Sequence, residues 1–200
     1  MLKYRIRQLI RVFMSYFSNI SYNDNIYLKK YLNYKQLNLF NELSMYEKKH
    51  SLYIARDIEN NYRNNISDRE LEILIKASLL HDVGKIKSKL NLFDRVFFVI
   101  MNGLIKDNLK KIKIRSLEYK IYVYYNHGEI GYELLKNCSE DEMLYLVRYH
   151  HNKCLNDYKL KILQKFDERN WNKIFKLSYI SIISFITSSI RMRILVNSFW

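Results

Sequence analysis

Apolar residues recur at intervals of three and four along most of this chain, which is the pattern of α-helices with one buried face. Four glycines and no proline among 200 residues leave few turn-forming residues for a sheet of many strands. The pattern therefore predicts an all-α fold, a bundle of helices around one core. The predicted helices occupy residues 36–60, 67–82, 126–137, 139–151 and 158–166.

The chain divides into three sections. Residues 1–35 combine a basic amphipathic helix over residues 1–20 with a polar connection rich in tyrosine and asparagine. Residues 36–170 form the main helical domain, and residues 171–200 form an apolar and basic helix that packs on it. The uncharged stretch Leu177–Ile190 in the last section is fourteen residues long, which is too short to span a bilayer.

The chain has 34 lysines and arginines against 20 aspartates and glutamates, a formal net charge of +14. Such an excess suits an anionic partner, although a general enrichment in lysine would give a similar number. We predict a small phosphate-containing substrate rather than a nucleic acid. Residues 1–20 either contact an anionic membrane surface or, as we favour, form a terminal helix packed on the domain.

Cys138 and Cys154 are isolated thiols without a Cys-x-x-Cys spacing. Such cysteine usage is typical of a reduced compartment and not of a disulfide scaffold. We therefore predict a cytoplasmic protein, with a membrane-peripheral location as the alternative.

All five histidines of the chain lie between residues 50 and 151. His81 and Asp82 stand side by side at the end of a predicted buried helix, and Lys85 follows after one glycine. Adjacent imidazole and carboxylate groups are typical ligands of a transition-metal ion, and a nearby lysine can face a phosphate. A lone histidine on an apolar helix face is more often a core residue, but histidines placed for packing would be scattered along the chain. Their distribution therefore predicts a metal site.

The order of these residues resembles that of the HD superfamily of metal-dependent phosphohydrolases. Residues 81–85, HDVGK, are similar to the family's His-Asp-x-Gly-Lys form. Residues 127–131, HGEIG, are similar to its His-Pro-x-x-Gly element, with glycine in place of proline. Residues 48–55 resemble the helix of the first histidine, and residues 163–167 resemble the helix of the closing aspartate. The resemblance covers about residues 36–170.

The resemblance implies an HD-domain helical bundle with the metal site in its core. Mixed imidazole and carboxylate ligands favour one or two ions of iron, manganese or zinc over magnesium or calcium. Two such ions about 3.5–4 Å apart can activate water and neutralise charge at phosphorus. The resemblance assigns His50, His81, Asp82 and Asp167 to a first ion, and His127, His150 and His151 to a second ion that Asp82 bridges.

Two ligand positions stay open. Adjacent residues point to different helix faces, so His150 and His151 both reach one site only if the helix ends there; otherwise one of them supports another ligand or contacts a phosphate. Asp157 is the rival of Asp167 as the last ligand. We prefer Asp167 because the apolar residues of its helix can bury it.

The function predicted is that of a phosphomonoesterase or phosphodiesterase acting on a nucleotide or another small phosphate ester, with Asp82 and Lys85 as its catalytic residues. The chain lacks the Gly-Tyr-Pro element of the cyclic di-GMP branch and the Glu-Asp pair of the ppGpp-hydrolase branch, so neither substrate is favoured. The alternative is a non-catalytic HD-like regulatory module that binds a nucleotide or a partner, including at a membrane surface.

Overall fold

The computed structural model describes residues 19–88 and 115–168, and every regular element in these ranges is a helix. The predicted all-α fold is therefore confirmed. Predictions for residues 1–18, 89–114 and 169–200, including the two terminal helices, lie outside the described residues. The helices are α1 (Tyr22–Tyr31), α2 (Tyr34–Glu42), α3 (Met45–Tyr62), α4 (Asp68–Leu80), a 3-10 helix (Val83–Ser88), α5 (Arg115–Leu135), α6 (Asp141–Tyr149) and α7, which covers residues 158–168.

The first four helices begin in the same way, with a capping box. A short polar side chain just before the helix accepts a hydrogen bond from the third helical N–H, and the third side chain accepts one from the capping residue's N–H. The arrangement satisfies backbone donors that a helix start leaves unpaired. The boxes pair Ser21 with Asp24, Asn33 with Gln36, Ser44 with Glu47, and Ser67 with Glu70.

Two capping boxes correct the predicted elements of the N-terminal half. Residues 22–31 form a helix, where the polar composition predicted an irregular connection, because Ser21 caps it and Leu28 is fully buried. The single helix predicted over residues 36–60 is two helices, α2 and α3. Ser44 ends the run because its side chain caps α3 and its backbone is extended.

Two helix starts were also placed wrongly in the C-terminal half. The helix predicted to open at Asn126 runs without a break from Arg115, because Gly128 keeps the N–H that proline would lack. The capping residue of α6 is Glu140 and not Ser139. The Ser139 hydroxyl instead accepts a hydrogen bond from Gln36 Nε2 at 3.0 Å, which ties α2 to the α5–α6 turn.

α4 is the central helix of the described part. Leu74, Ile75, Leu79 and Leu80 have no exposed surface, and each such side chain stabilises the fold by about 1.5–3 kcal/mol. α3 and α6 pack against α4, while α5 packs against the 3-10 helix and α6. The end of α4 therefore lies between α3, α5 and α6.

Glycines allow the closest of these approaches. A Cβ added to Gly84 in the 3-10 helix would lie 2.0 Å from the backbone oxygen of His127 in α5. A Cβ added to Gly128 would lie 2.6 Å from the backbone oxygen of Arg148 in α6. Backbone atoms cannot yield to such contacts, so only glycine fits at these positions. The glycines of the HDVGK and HGEIG segments therefore let α5 bring its histidine to the end of α4.

No helix within residues 19–88 and 115–168 is both long enough and apolar enough to cross a membrane.

Candidate metal centre

The seven predicted ligand residues come together in one region between α3, α4, α5, α6 and α7. The possible ligand atoms of His50, His81 and Asp82 lie within 4.8 Å of one another, and so do those of His127, His150 and His151. Six of the seven residues are buried, and one, His151, is exposed. We refer to His50, His81, Asp82 and Asp167 as the carboxylate cluster, and to His127, His150 and His151 as the imidazole cluster.

His50 and Asp167 join α3 to α7. His50 Nε2 lies 2.9 Å from Asp167 Oδ1, and the two residues are 4% and 9% exposed. Tyr46, one turn earlier in α3, stacks on His50 with ring planes 5° apart and centroids 6.3 Å apart. Leu163 and Phe166 bury one face of α7 and so hold Asp167 against the core.

The tautomer of His81 follows from its contacts. Its Nδ1 lies 2.9 Å from the backbone oxygen of Ser78, which can only accept, so Nδ1 carries the hydrogen and donates it. Nε2 of the neutral ring then presents a lone pair. That atom is buried without a hydrogen-bond partner in the described part of the chain, 3.6 Å from Asp82 Oδ2 and 3.9 Å from Asp167 Oδ1. A buried lone pair facing two carboxylates requires a cation or a second proton.

The imidazole cluster shows the same arrangement twice more. Nδ1 of His127 and Nδ1 of His150 each lie 2.7 Å from the backbone oxygen three residues earlier. Their Nε2 atoms therefore present lone pairs when the rings are neutral, yet these atoms are only 3.1 Å apart. His151 Nε2 also lies 3.1 Å from His127 Nε2. A metal ion near these atoms would remove the repulsion between the lone pairs.

Asp82 connects the two clusters. Its Oδ1 lies 3.2 Å from His127 Nε2, and its Oδ2 faces His81. The rings of His81 and His150 are also in edge contact, with centroids 5.1 Å apart. Asp82 is therefore the one residue whose two oxygens face both clusters among the described residues.

Three histidines of the centre are held neutral by their surroundings. Burial lowers the pKa of His81 and holds the pKa of His150 well below its usual value, because a charged ring would lose its hydration. His151 is exposed as a whole residue, but the protein atoms packed around its ring, together with the neighbouring His127, lower its pKa to about 4. These rings are neutral at pH 7, which is the form that binds a metal.

The two carboxylates of the centre stay charged although they are buried. Burial alone would raise the pKa of Asp82, but the Lys85 ammonium, with help from His81 and His127, holds it well below its usual value. Burial would also raise the pKa of Asp167, but the hydrogen bond with His50 and the electrostatic attraction of His81 and His50 together outweigh it, and the pKa is lowered. Both groups are therefore ionised at neutral pH and available to a cation.

Lys85 is engaged with the centre itself. Its Nζ lies 2.7 Å from each carboxylate oxygen of Asp82, and its side chain is 21% exposed. The Lys85 side chain is therefore partly open to solvent, while its ammonium is held on Asp82. That Lys85 contacts a substrate phosphate stays a prediction.

The structure places Asp167, and not Asp157, beside the histidines. Asp157 Oδ1 accepts a hydrogen bond from the backbone N–H of Leu160 at 2.8 Å, so Asp157 caps the start of α7. The two aspartates lie at opposite ends of one helix. The ligand role of Asp167 itself stays a prediction.

Consecutive histidines reach one cluster because α6 ends at Tyr149. His150 is the C-cap residue and His151 lies in the turn that follows, with their ring centroids 4.0 Å apart. Of the two arrangements left open by the sequence, the structure therefore has the one in which the helix stops.

Sequence reasoning missed the contact of Tyr46, which stacks on His50, and the burial of Glu47 at the start of α3. The spacing of Ser44 and Glu47 indicates a capping box. The same spacing occurs at the surface at the start of α4, so it does not predict that Glu47 is buried. The 3% exposure of Glu47 depends on tertiary packing, and no pattern along the chain predicts it.

Comparison with known proteins agrees with the geometry. A family model described as "HD domain" matches residues 49–170, which is more than half of the chain and includes every residue of both clusters. No curated protein and no solved structure matches the chain. Members of the matched family are generally metal-dependent hydrolases that bind divalent metals. This chain, with its buried histidines and aspartates arranged around the HD pair, belongs to the HD domain family.

Proposed function

We propose that this protein is a metal-dependent phosphohydrolase of the small HDIG type, acting as a phosphomonoesterase or phosphodiesterase on a nucleotide or another small phosphate ester. One observation carries the proposal. Three buried histidines have Nδ1 fixed on backbone carbonyls, so that their Nε2 lone pairs face one another and two ionised aspartates. Such an arrangement of acceptors is suited to divalent cations.

The residues present fit one or two ions of iron, manganese or zinc. His50, His81, Asp82 and Asp167 would hold the first ion, and the imidazole cluster with Asp82 would hold the second. Bound there, such ions would supply a nucleophile from water and neutralise charge on the phosphoryl group. The mixed nitrogen and oxygen donors disfavour calcium and magnesium, which prefer oxygen alone.

The chain's own groups would orient the substrate. Asp82 and Lys85 are the proposed catalytic residues, because Asp82 faces both clusters and Lys85 places a positive charge beside it on a side chain that is partly open to solvent. An ammonium group there can bind a phosphate oxygen as a point charge. His151 is the exposed member of the centre, so the substrate would approach from its side.

The absence of a Gly-Tyr-Pro element from the sequence supports a substrate other than a cyclic dinucleotide. The absence of a Glu-Asp pair after the HD motif argues likewise against ppGpp. What remains is a nucleotide or a small phosphate ester.

Metal content and hydrolysis, measured together, test this proposal. The purified protein should bind one or two manganese ions per chain and hydrolyse p-nitrophenyl phosphate, bis-p-nitrophenyl phosphate or members of a nucleotide panel. Asp167→Asn should lose metal and activity. Asp157→Asn is the matched control at the other end of α7, and it should keep both because asparagine caps helices as well as aspartate does.

Failure would take one of two forms. A folded protein without metal above trace amounts would overturn the proposed centre. A protein that holds metal stoichiometrically but hydrolyses none of these esters would support the non-catalytic nucleotide- or partner-binding module instead.

The distribution of charge supports contact with an anionic membrane surface through residues 1–20. The ranges 19–88 and 115–168 are almost neutral, with nineteen lysines and arginines against eighteen aspartates and glutamates. The other residues carry fifteen basic and only two acidic side chains. Residues 1–18 hold four of these basic residues, interleaved with aliphatic and aromatic ones and without an acidic residue. That pattern suits an interfacial helix on anionic lipid.

Co-sedimentation with vesicles containing phosphatidylserine tests this contact. Replacing the four N-terminal basic residues with glutamine should reduce pelleting, and so should higher salt. Equal pelleting of the wild type and this variant would reject the role of residues 1–20. The variant replaces Lys3, Arg5, Arg7 and Arg11; the matched control replaces Lys29, Lys30, Lys35 and Lys136.

A further inference from the structure

The geometry of the imidazole cluster depends on the spacing of two helices. His127 lies on α5, and His150 is the residue that ends α6. Nδ1 of each ring donates to a backbone oxygen of its own helix at 2.7 Å, that of Tyr124 in α5 and that of Val147 in α6. Each ring is therefore fixed to its helix, so the 3.1 Å between the two Nε2 atoms follows the distance between α5 and α6.

Glycine lets the two helices approach but does not hold them together. Gly128 directly follows His127, and a Cβ on it would lie 2.6 Å from the backbone oxygen of Arg148, two residues before His150. A residue without a side chain adds no attraction at this contact. The two Nε2 lone pairs that face each other repel, because both atoms are acceptors in the neutral rings. A contact that joins α5 to α6 beside Gly128 would oppose this repulsion.

The side chain of Arg148 makes such a contact. Its Nε donates a hydrogen bond to Glu129 Oε2 of α5 at 2.6 Å. Its guanidinium carbon also lies 4.6 Å from the ring centroid of Tyr132 in α5 and 5.5 Å from that of Tyr149 in α6. One planar cation therefore contacts a carboxylate and an aromatic ring of α5 as well as a ring of its own helix. Arginine suits this place because its rigid, planar group can pair and stack at once.

The place of this contact matters more than its contribution to folding. The side chains of Arg148 and Glu129 are 35% and 50% exposed, and exposed ion pairs contribute little to the free energy of unfolding. The contact nevertheless lies beside the proposed ligands, because Glu129 is two residues after His127 and Arg148 is two residues before His150. A small change in helix spacing there moves the ring nitrogens, and interactions that orient the ligands of a metal affect its affinity.

We propose that Arg148 is a positioning residue for the imidazole cluster: through Glu129 and Tyr132 it holds α5 against α6, so that His127 and His150 keep the spacing at which they bind the second ion. This inference rests on the proposed function, because the second ion belongs to it.

Arg148→Gln separates a positioning role from a simple effect of charge. Removing a positive charge near a cation site should strengthen the binding of the cation. Loss of the contact between the helices should weaken it instead. We expect the second manganese ion to bind about fivefold more weakly. The first ion should be unaffected, because no residue of the carboxylate cluster lies on α5 or α6.

Equilibrium titration with manganese, followed by the electron paramagnetic resonance signal of the free ion, measures both affinities. Lys136→Gln is the matched control. Lys136 Nζ lies 2.6 Å from Glu133 Oε2, so the control removes the same charge from an exposed ion pair of the same length at the end of α5. It should weaken neither ion. Binding of the second ion by Arg148→Gln that equals or exceeds the wild-type affinity would overturn the inference.

An uncharged substitution tests the same contact from α5. Tyr132→Leu should weaken the second ion, and its effect should shrink in the Arg148→Gln background because the ring acts through the guanidinium. Tyr145→Leu is the control, since the Tyr145 ring lies 5.1 Å from that of Tyr149 within α6 and joins no second helix through that contact. Equal losses from Tyr132→Leu in both backgrounds would overturn the role of Arg148.

The two proposals can fail separately. The titrations measure ion binding and need no hydrolysis, so absence of hydrolysis by the metal-loaded wild type would overturn the proposed function alone. A wild type that binds only the first ion would overturn the positioning role, whereas the proposed function, which needs one or two ions, would stand.

Discussion

The two ligand clusters lie side by side but differ in charge and in access to water. The carboxylate cluster is buried and contains two ionised aspartates, whereas the imidazole cluster contains no carboxylate of its own and has an exposed member, His151. A divalent ion would be neutralised in the first cluster. In the second cluster the ion would keep most of its positive charge for binding the substrate, because it would share the carboxylate of Asp82 with the first ion.

This difference predicts that the two ions are bound with unequal affinity. Anionic donors without access to water should give the carboxylate cluster the tighter ion, while neutral donors beside solvent should give the imidazole cluster the weaker and more exchangeable one. The clusters also come from different parts of the fold. The end of α4 with α3 and α7 builds one, and α5 with the end of α6 builds the other.

The largest effect is expected where the clusters meet. Asp82→Asn removes the charge that faces both clusters and leaves Lys85 without its closest partner. Both ions should be lost, and kcat/KM should fall about 10³-fold or more, on the order of 4 kcal/mol of transition-state stabilisation. Metal analysis and hydrolysis rates check this.

Asp68→Asn provides the control for Asp82→Asn. Asp68 is exposed at the start of α4, about 20 Å from Asp82 at 1.5 Å per helical residue. If Asp82→Asn retained one tightly bound ion, Asp82 would belong to one cluster only.

The next effect comes from forcing the clusters apart. In Gly84→Ala the new Cβ would overlap the His127 backbone oxygen, so the 3-10 helix must move away from α5. Unfolding free energy should fall by about 3 kcal/mol or more, and the weaker ion should be lost first. Gly131→Ala is the matched control, because its nearest neighbour is a Val147 methyl carbon at 3.1 Å, which can adjust. Equal stability of the two variants in urea would contradict the close approach.

The residues of the two clusters could be singled out from the sequence because their signal is chemical. Five histidines confined to residues 50–151, one beside Asp82, are difficult to explain by packing. The order of the residues carried the family resemblance. No geometry was needed for either step.

Helix boundaries were less predictable, because they depend on caps that compete with composition. The Ser21–Asp24 and Ser44–Glu47 spacings were present in the sequence, but the tyrosines and asparagines around the first suggested a loop. Ser139 looked like a cap until tertiary contact with Gln36 engaged its hydroxyl.

Contacts between distant elements could not be predicted at all. The contact between His50 and Asp167 and the burial of Glu47 depend on how α3 packs on the other helices. The same holds for the space that only glycine can occupy at Gly84. A single sequence contains no periodicity that reports such contacts.

Acid should affect the histidines and the aspartates of the centre in different pH windows in the metal-free protein. The pKa values of His81, His150 and His151 are lowered by burial, so the unfolded chain takes up protons before the folded one does. Stability should therefore fall as pH drops below about 6.5, the ordinary histidine value, and go on falling to about 4 at His151. The lowered pKa values of Asp82 and Asp167 add a further loss only below about pH 4.

Urea unfolding between pH 8 and pH 3.5, with and without bound manganese, checks these windows. Bound metal should protect the histidines and move the first loss to lower pH. Constant stability of the metal-free protein between pH 6.5 and pH 4.5 would contradict the buried neutral rings.

The smallest effect is expected at the exposed edge of the imidazole cluster. In His151→Ala, water can take the place of the lost ring, because this residue already faces solvent. The protein should keep its tighter ion, bind the weaker one less well, and lose about tenfold in kcat/KM, or about 1.4 kcal/mol. His150→Ala is the comparison: its ring is 2% exposed, so the same truncation leaves a buried gap and should cost both stability and the weaker ion outright. Manganese titration of the two variants separates these outcomes. If His151→Ala lost more affinity for the weaker ion than His150→Ala, the exposed side of the centre, and not its buried side, would hold that ion.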